Sequence, residues 1–216
     1  MHLITRCVCD GVIFEPARMH GIDIMRCARC GVLHQCIHMT TDDLAKWYKK
    51  EYHDSVYTHD YYHDADVARR RIARYTQALK PTVLDVGCGN GAFVDACREI
   101  GVEAIGQDIG GYAADVYESI ESMDGSFRTV TLHDVLEHVI DPKATLRSVR
   151  RLLDAGGWLI VDFPDFFSKA GRHHWKAIEH LWMLGRDDIR NLLGDAGFVV
   201  RKIDEPIPGR FVVYAQ

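Results

Sequence analysis

The segment Thr82-Val-Leu-Asp-Val-Gly-Cys-Gly-Asn-Gly-Ala-Phe93 restricts the fold of this 216-residue chain more than any other stretch. A short apolar, β-branched run stops at Gly87, Gly89 and Gly91. Phe93, Val94, Ala96, Cys97 and Ile100 then recur at helical spacing. The order is strand, tight turn, helix. Glycines let the backbone approach a ligand closely, and the N–H groups at a helix start favour polar or anionic atoms. The loop lacks the Lys-Ser/Thr of a phosphate-gripping loop, and its G-x-G-x-G differs from the G-x-G-x-x-G dinucleotide fingerprint. Val102-Glu-Ala-Ile-Gly-Gln-Asp108 reads as a second strand ending on an acid. A carboxylate there, 17 residues beyond Gly91, can accept hydrogen bonds from two ribose hydroxyls.

Farther on, Phe127 to Val139 reads as a strand passing into a short turn. Asp141-Pro142 opens a helix that Gly156-Gly157 is expected to end. His133, Asp134, Glu137 and His138 gather at the C-terminal edge of this strand, where open α/β sheets bind ligands. Trp158 to Phe163 reads as a buried strand. Arg186-Asp-Asp-Ile starts a helix ending at Gly197, and two alternating strands, Phe198–Ile203 and Arg210–Ala215, close the sheet as a hairpin.

These residues, Leu84 to Gly91 with Asp108, resemble the class I S-adenosylmethionine-dependent methyltransferases. The resemblance covers about residues 65–216. It implies an α/β, Rossmann-like fold: a mostly parallel seven-stranded sheet, helices on both faces and an antiparallel strand near the end. Asp85, Gly87, Cys88, Gly89, Asn90 and Gly91 would then lie under the methionine part of S-adenosylmethionine. Asp108 would hold the ribose, and Asp134, Val135 and His138 would complete the cofactor site. Only residues 109–127 stand where the family fits a helix, a third strand and an adenine-contacting acid, so that edge is expected shortened or missing, with Asp124 as a weak adenine candidate. Asp134-x-x-Glu137-His138 is also similar to the divalent-metal pattern of quinone-pathway O-methyltransferases, which carry glutamate where Asp134 stands. A structural role beneath the cofactor is the preferred reading of His138.

Five of the seven cysteines fall within the first 36 residues: Cys7, Cys9, Cys27, Cys30 and Cys36. In a chain read as having no export signal, such clustering points to metal rather than disulfides. Cys7-x-Cys9 with Cys27-x-x-Cys30 offers zinc four sulfurs, and His34, Cys36 and His38 stand in reserve. Four thiolates leave no open coordination position, so the ion would be structural. Residues 1–40 are therefore read as a zinc-knuckle module, and 41–63 as a helix followed by a Tyr/His-rich linker or lid. Residues 64–216 are the methyltransferase domain. The cysteines, the linker and Ile178-Glu179-His180 together resemble a zinc-knuckle subgroup that includes deoxysugar C-methyltransferases. Those sugar enzymes carry a further C-terminal domain with no counterpart in these residues. The subgroup implies His180 as general base with Glu179 as its partner. Tyr61, Tyr62 and Trp175, with Trp182, are the candidates for an apolar substrate mouth. The run Arg69-Arg70-Arg71 reads as a solvated helix face.

Charge and hydropathy narrow the partners. The chain carries 26 basic and 31 acidic residues, and residues 1–62 hold seven Lys/Arg against eight Asp/Glu. That balance is poor for phosphate-driven binding of nucleic acid. Apolar runs are far shorter than a bilayer span. The expected protein is cytoplasmic, with a small-molecule methyl acceptor such as a sugar nucleotide or natural-product intermediate, and a homodimer is left open. Two alternatives remain: an RNA or nucleotide-base methyltransferase using the zinc module for recognition, and a non-catalytic cofactor-binding subunit.

Overall fold

The computed structural model describes residues 4–19, 21–36, 40–49, 65–110, 116–117, 119–177 and 179–216. Its elements run β1 (Phe14–Met19), β2 (Ile22–Cys27), β3 (Leu33–Gln35), α1 (Thr41–Trp47), α2 (Ala65–Tyr75), β4 (Val83–Val86), α3 (Ala92–Glu99) and β5 (Ala104–Gln107). There follow β6 (Val116–Tyr117), β7 (Phe127–His133), α4 (Pro142–Leu152), β8 (Leu153–Pro164), β9 (Trp182–Met183), α5 (Arg186–Asp195), β10 (Val200–Ile207) and β11 (Arg210–Ala215). Among the described residues the larger sheet runs in the order β10-β11-β8-β7-β4-β5-β6. β4 pairs in parallel with β5 and β7, and β7 with β8, whereas β11 runs antiparallel to β8 and β10. The edge beyond β5 is short: β6 contributes two residues, Val116 and Tyr117, paired in parallel with Gly106 and Gln107.

Side-chain alternation decides which face each strand serves. In β11, Phe211, Val213 and Ala215 join one apolar cluster, while Val212 and Tyr214 join the other. Leu159 and Ile160 of β8 divide in the same way. The first cluster takes Leu146, Val149 and Leu152 from α4 and Ile189, Leu192 and Leu193 from α5. The second takes Ala68, Ile72 and Tyr75 from α2 and Phe93, Val94 and Cys97 from α3. Helices therefore cover both faces, and each fully buried Leu, Val or Ile contributes about 2 kcal/mol.

Local signals set the helix starts. Thr40 caps α1, its hydroxyl accepting from Asp43 N while the Asp43 carboxylate accepts from Thr40 N. Asp141 caps α4, with Pro142 in the first turn. The expected stop at Gly156-Gly157 is corrected: α4 ends at Leu152 and both glycines lie inside β8.

The described residues of the N-terminal segment are built into the rest of the molecule. β1, β2 and β3 form an antiparallel sheet whose fourth strand is β9, with Leu33 opposite Met183 and His34 opposite Trp182. Gln35 N donates to Leu181 O (2.9 Å), and Gln35 Nε2 to His180 O (2.7 Å). Cys7, Val8, Cys27 and Val32 belong to the same apolar cluster as α4 and α5. The boundary expected at residue 40 is thus not a break in packing. Among the described residues no helix is long and apolar enough to cross a membrane.

Candidate active site

The glycine turn and the ends of β4, β5 and β7 open onto a cavity of about 330 Å³. Gly87 has φ +71°, and a Cβ there would meet Val135 Cγ2 at 2.5 Å, so the turn can close only with glycine. Gly87 N and Cys88 N both donate to Gln107 O (2.7 and 3.0 Å), tying the turn to β5. Asp108 is pinned by two backbone donors: Gly89 N to Oδ2 (2.9 Å) and Gly110 N to Oδ1 (2.7 Å). Beneath the turn, Asp85 is buried, accepting from Thr131 Oγ1 (2.6 Å) and lying 3.1 Å from His133 Nδ1. Asp85, Gly87, Cys88, Gly89, Asn90, Asp108, Asp134, Val135 and His138 all line the cavity. Gly91 does not; it is the N-cap of α3 at φ +84°. The glycine turn and the oriented Asp108 carboxylate fit the methionine and ribose parts of S-adenosylmethionine.

A buried ion network stands beside this turn, and the sequence reading missed it. Arg210 of β11 donates through Nη2 to both Asp134 oxygens (2.7 and 2.9 Å) and to Asp162 Oδ1 (2.8 Å). Arg71 of α2 approaches Asp134 and Asp162, each at 3.4 Å. Burial raises the Asp162 carboxyl, but Arg210 and Arg71 outweigh it and hold the group below the usual carboxylate range. The expectation of a solvated Arg69–Arg71 face is therefore corrected for Arg71, which is buried and lines the cavity, while Arg69 pairs at the surface with Glu99. Asp134, with its oxygens engaged by two guanidinium groups, is not placed as a cation ligand.

The polar end of the cavity is made by the turn after β7 and the loop before β9. Potential ligand atoms of Glu137, His138 and His180 lie within 4.8 Å of one another, a spacing a cation could bridge. Burial raises the Glu137 carboxyl well above its ordinary range. Burial pushes His138 down to about 4, and burial with the nearby His138 and Lys176 puts His180 well below its usual value, so both imidazoles are neutral. His180 Nδ1 accepts the Lys176 backbone N–H (2.9 Å), which fixes the His180 proton on Nε2. This corrects the expected general-base role of His180: the nitrogen that would receive a proton is already occupied. Nor does Glu179 hold that nitrogen; its carboxylate pairs with Lys176 Nζ at 3.3 Å. Glu179 and His180 do both line the cavity. Tyr48, at the end of α1, enters the same cluster with its Oη 2.9 Å from His138 Nδ1.

Other expected substrate contacts fall elsewhere. Trp175 is buried with Ile24, Phe166 and Met183 behind the N-terminal sheet and does not line the cavity. Trp182 is buried too, its indole N–H donating to Val139 O (3.0 Å). Trp182 joins the apolar cluster of the larger sheet, and Trp175 packs within the N-terminal sheet's own cluster. Tyr61, Tyr62 and His38 lie outside the described residues. Asp124 is fully exposed beside Arg151, whereas Ile109, Ile120 and Glu121 line the cavity near β5.

The four knuckle cysteines converge. Cys7 and Cys30 Sγ are 3.6 Å apart, Cys9 and Cys27 Sγ 3.5 Å, and all four sulfurs lie within 4.8 Å. Sulfurs about 2.3 Å from a tetrahedral zinc would be separated by roughly 3.8 Å. Gly11 leaves the room: a Cβ there would sit 2.7 Å from Cys27 Sγ. Burial raises the Cys27 thiol, but backbone N–H groups of Cys30 and Arg29 and the neighbouring cysteines outweigh it, bringing it down to about 7. The residues fit a closed tetrahedral ion. Cys36 is exposed and outside this group.

Sheet order, glycine turn and pinned second-strand acid together define a class I S-adenosylmethionine-dependent methyltransferase domain. Residues 57–203 match the family model described as "Methyltransferase domain", and the chain belongs to that family. It is similar to the ubiquinone biosynthesis O-methyltransferase of Albidiferax ferrireducens, 31% identical over 131 residues covering 51% of this chain and 49% of that protein. The protein of the same name from Pseudomonas paraeruginosa is 38% identical over 100 residues, 37% of this chain and 43% of its own length. The chain thus spans about half the length of these curated relatives. In fold it is similar to magnesium protoporphyrin IX methyltransferase (ChlM) from Synechocystis PCC 6803 with bound SAH, with a TM-score of 0.59 at 17% identity over 82% of this chain and 99% of that one. A SAM-dependent methyltransferase from Archaeoglobus fulgidus gives 0.60 at 20% identity, covering 72% and 99%.

Proposed function

We propose that this protein transfers a methyl group from S-adenosylmethionine to a hydroxyl oxygen of a small molecule. The observation that carries the reading is the single cavity that joins the glycine turn and Asp108 to the His138–His180 cluster. The names of the curated relatives, O-methyltransferases, support oxygen as the acceptor atom. The donor, when bound, supplies an electrophilic methyl on a positively charged sulfur. Asp108 would accept from the ribose hydroxyls, and the backbone of Gly87 to Gly89 would pass under the methionine part. His180 Nε2–H is a donor placed to orient an acceptor oxygen. Methyl transfer needs little more than alignment, exclusion of water and a route for the acceptor proton. The likeness to deoxysugar C-methyltransferases would put the methyl on a sugar carbon instead; an N–H on His180 suits holding oxygen better than deprotonating carbon.

We also propose one structural zinc on Cys7, Cys9, Cys27 and Cys30, closed to substrate and holding the first loops against α4. Lys143 Nζ reaches Asp10 (2.7 Å) and Asp195 (3.2 Å), bridging the knuckle to α5 as well. Calorimetry with S-adenosylhomocysteine, followed by product assays on phenols, alcohols and sugar nucleotides, tests the function. Binding with turnover of a hydroxyl acceptor is expected; binding with methylation only at carbon or nitrogen would reassign the acceptor, and absence of binding would remove the reading.

A further inference from the structure

We propose that Arg210 is a positioning residue of the donor site: it clamps Asp134 in a left-handed backbone conformation and so aims the turn 135–138 into the cavity. This rests on the donor reading above. Asp134 is the first residue after β7 and has φ +55°. That region disfavours every residue with a Cβ, aspartate less than most. Arg210, at the start of β11, donates through Nη2 to both Asp134 oxygens (2.7 and 2.9 Å) and to Asp162 Oδ1 (2.8 Å). Asp162 belongs to β8, and its backbone carbonyl accepts from Asp134 N (2.9 Å). Backbone and carboxylate of Asp134 are thus tied to one residue of the neighbouring strand, the carboxylate through a buried guanidinium. Arg71 approaches the same two acids at 3.4 Å, longer than a well-formed N–H···O bond.

The turn that follows is held at both ends. Val135 closes on the glycine turn so tightly that a Cβ on Gly87 would meet its Cγ2 at 2.5 Å. His138 N donates to Val135 O (2.9 Å), and Glu137 O accepts from Leu181 N (2.7 Å) and Trp182 N (3.2 Å). The backbone of Asp134 therefore sets both where Val135 meets Gly87 and where His138 enters the cavity. Relaxed to an extended or right-handed backbone, Asp134 would redirect the chain at Val135 and open the contact with Gly87. The donor would then have to select the strained conformer, and its apparent affinity would fall with the population of that conformer.

The experiment separates conformation from charge. Two guanidinium groups face two carboxylates, so removing Arg210 together with the Asp134 carboxylate leaves Arg71 balanced by Asp162. Arg210→Met/Asp134→Gly and Arg210→Met/Asp134→Ala lack the same charges and differ by one methyl group, which a left-handed backbone penalises. In calorimetry with S-adenosylhomocysteine, the glycine double variant should bind on the order of tenfold more tightly than the alanine one. Equal affinities would overturn the clamp. Spectra of the unliganded full chain give a readout that needs no donor. The carbon-13 shifts of Asp134 should carry the left-handed signature in wild type and lose it in Arg210→Met. Contacts between the Val135 methyls and Gly87 should survive in the glycine double variant and weaken in the alanine one. A left-handed Asp134 in folded Arg210→Met would sink the proposal, and if that variant does not fold, the charge-balanced pair still decides. Wild-type protein that bound no S-adenosylhomocysteine would count against the donor reading alone, because the spectra still test the clamp.

Discussion

Asp108 does its work through position. Two backbone N–H groups, from Gly89 and Gly110, fix its oxygens, so the carboxylate is already oriented for the ribose that we propose it holds. Asp108→Ala should weaken S-adenosylhomocysteine binding at least tenfold, about 1.4 kcal/mol. Calorimetry of the folded variant reads this directly, and an unchanged Kd would take Asp108 out of the site. Arg210 matters in a different way: it is buried between Asp134 and Asp162, and removing it leaves two carboxylates to share Arg71. Arg210→Met should cost on the order of 3 kcal/mol, seen as a lower denaturation midpoint in urea. A midpoint like that of wild type would mean the network contributes nothing net. Asp108 was legible in the sequence because its partners sit within one strand-turn-helix unit. Arg71, Arg210 and Tyr48 were not, because they meet Asp162, Asp134 and His138 across 48 to 91 positions of chain.

At the level of elements, the alternation in β11 and the periodicity of α2 to α5 were readable, since one buried face repeats at a fixed interval. β9 was not. Two residues, Trp182 and Met183, carry no period, and their role is defined only by β3, which lies some 150 positions earlier and has Leu33 and His34 opposite them. The same pairing draws Trp182 into the core shared with the larger sheet, while Trp175 packs against Ile24 and Met183 of the N-terminal sheet. If the knuckle holds the N-terminal sheet in place, extracting its metal with a chelator should loosen β3 and β9 together. Amide exchange should accelerate at Gln35 and Leu181 while Leu84 and Val130, buried in the large sheet, keep their protection. Uniform acceleration everywhere, or none, would separate the cysteines from the β3–β9 pairing.

For the whole molecule, buried titratable groups set the pH range of stability. His34, His138, His174 and His180 are all held below the ordinary histidine value, in each case chiefly by burial. The unfolded chain therefore binds more protons than the fold as pH falls through 6.5, and stability is lost; His138 alone, at about 4, accounts for roughly 2 kcal/mol between pH 7.5 and 5. Glu137 acts in the opposite sense, because its raised carboxyl gives the fold the extra proton and its contribution is lost as pH rises. The expected profile peaks near pH 6.5. Glu137→Gln should steepen the acid-side fall by up to about 1.4 kcal/mol per pH unit, and thermal melts across pH 5 to 8 would show a flat variant profile if these groups stayed solvated.

The strand shared by the two sheets has one more implication. Residues 1–40 look like a removable tag in the sequence, yet the sheet edge in that segment is completed by β9. Grafting this segment onto another methyltransferase, or trimming it away, would leave Trp182 and Met183 without their paired strand and loosen the chain that carries His180. Chimeras that aim to exchange specificity must therefore move both pieces as one unit.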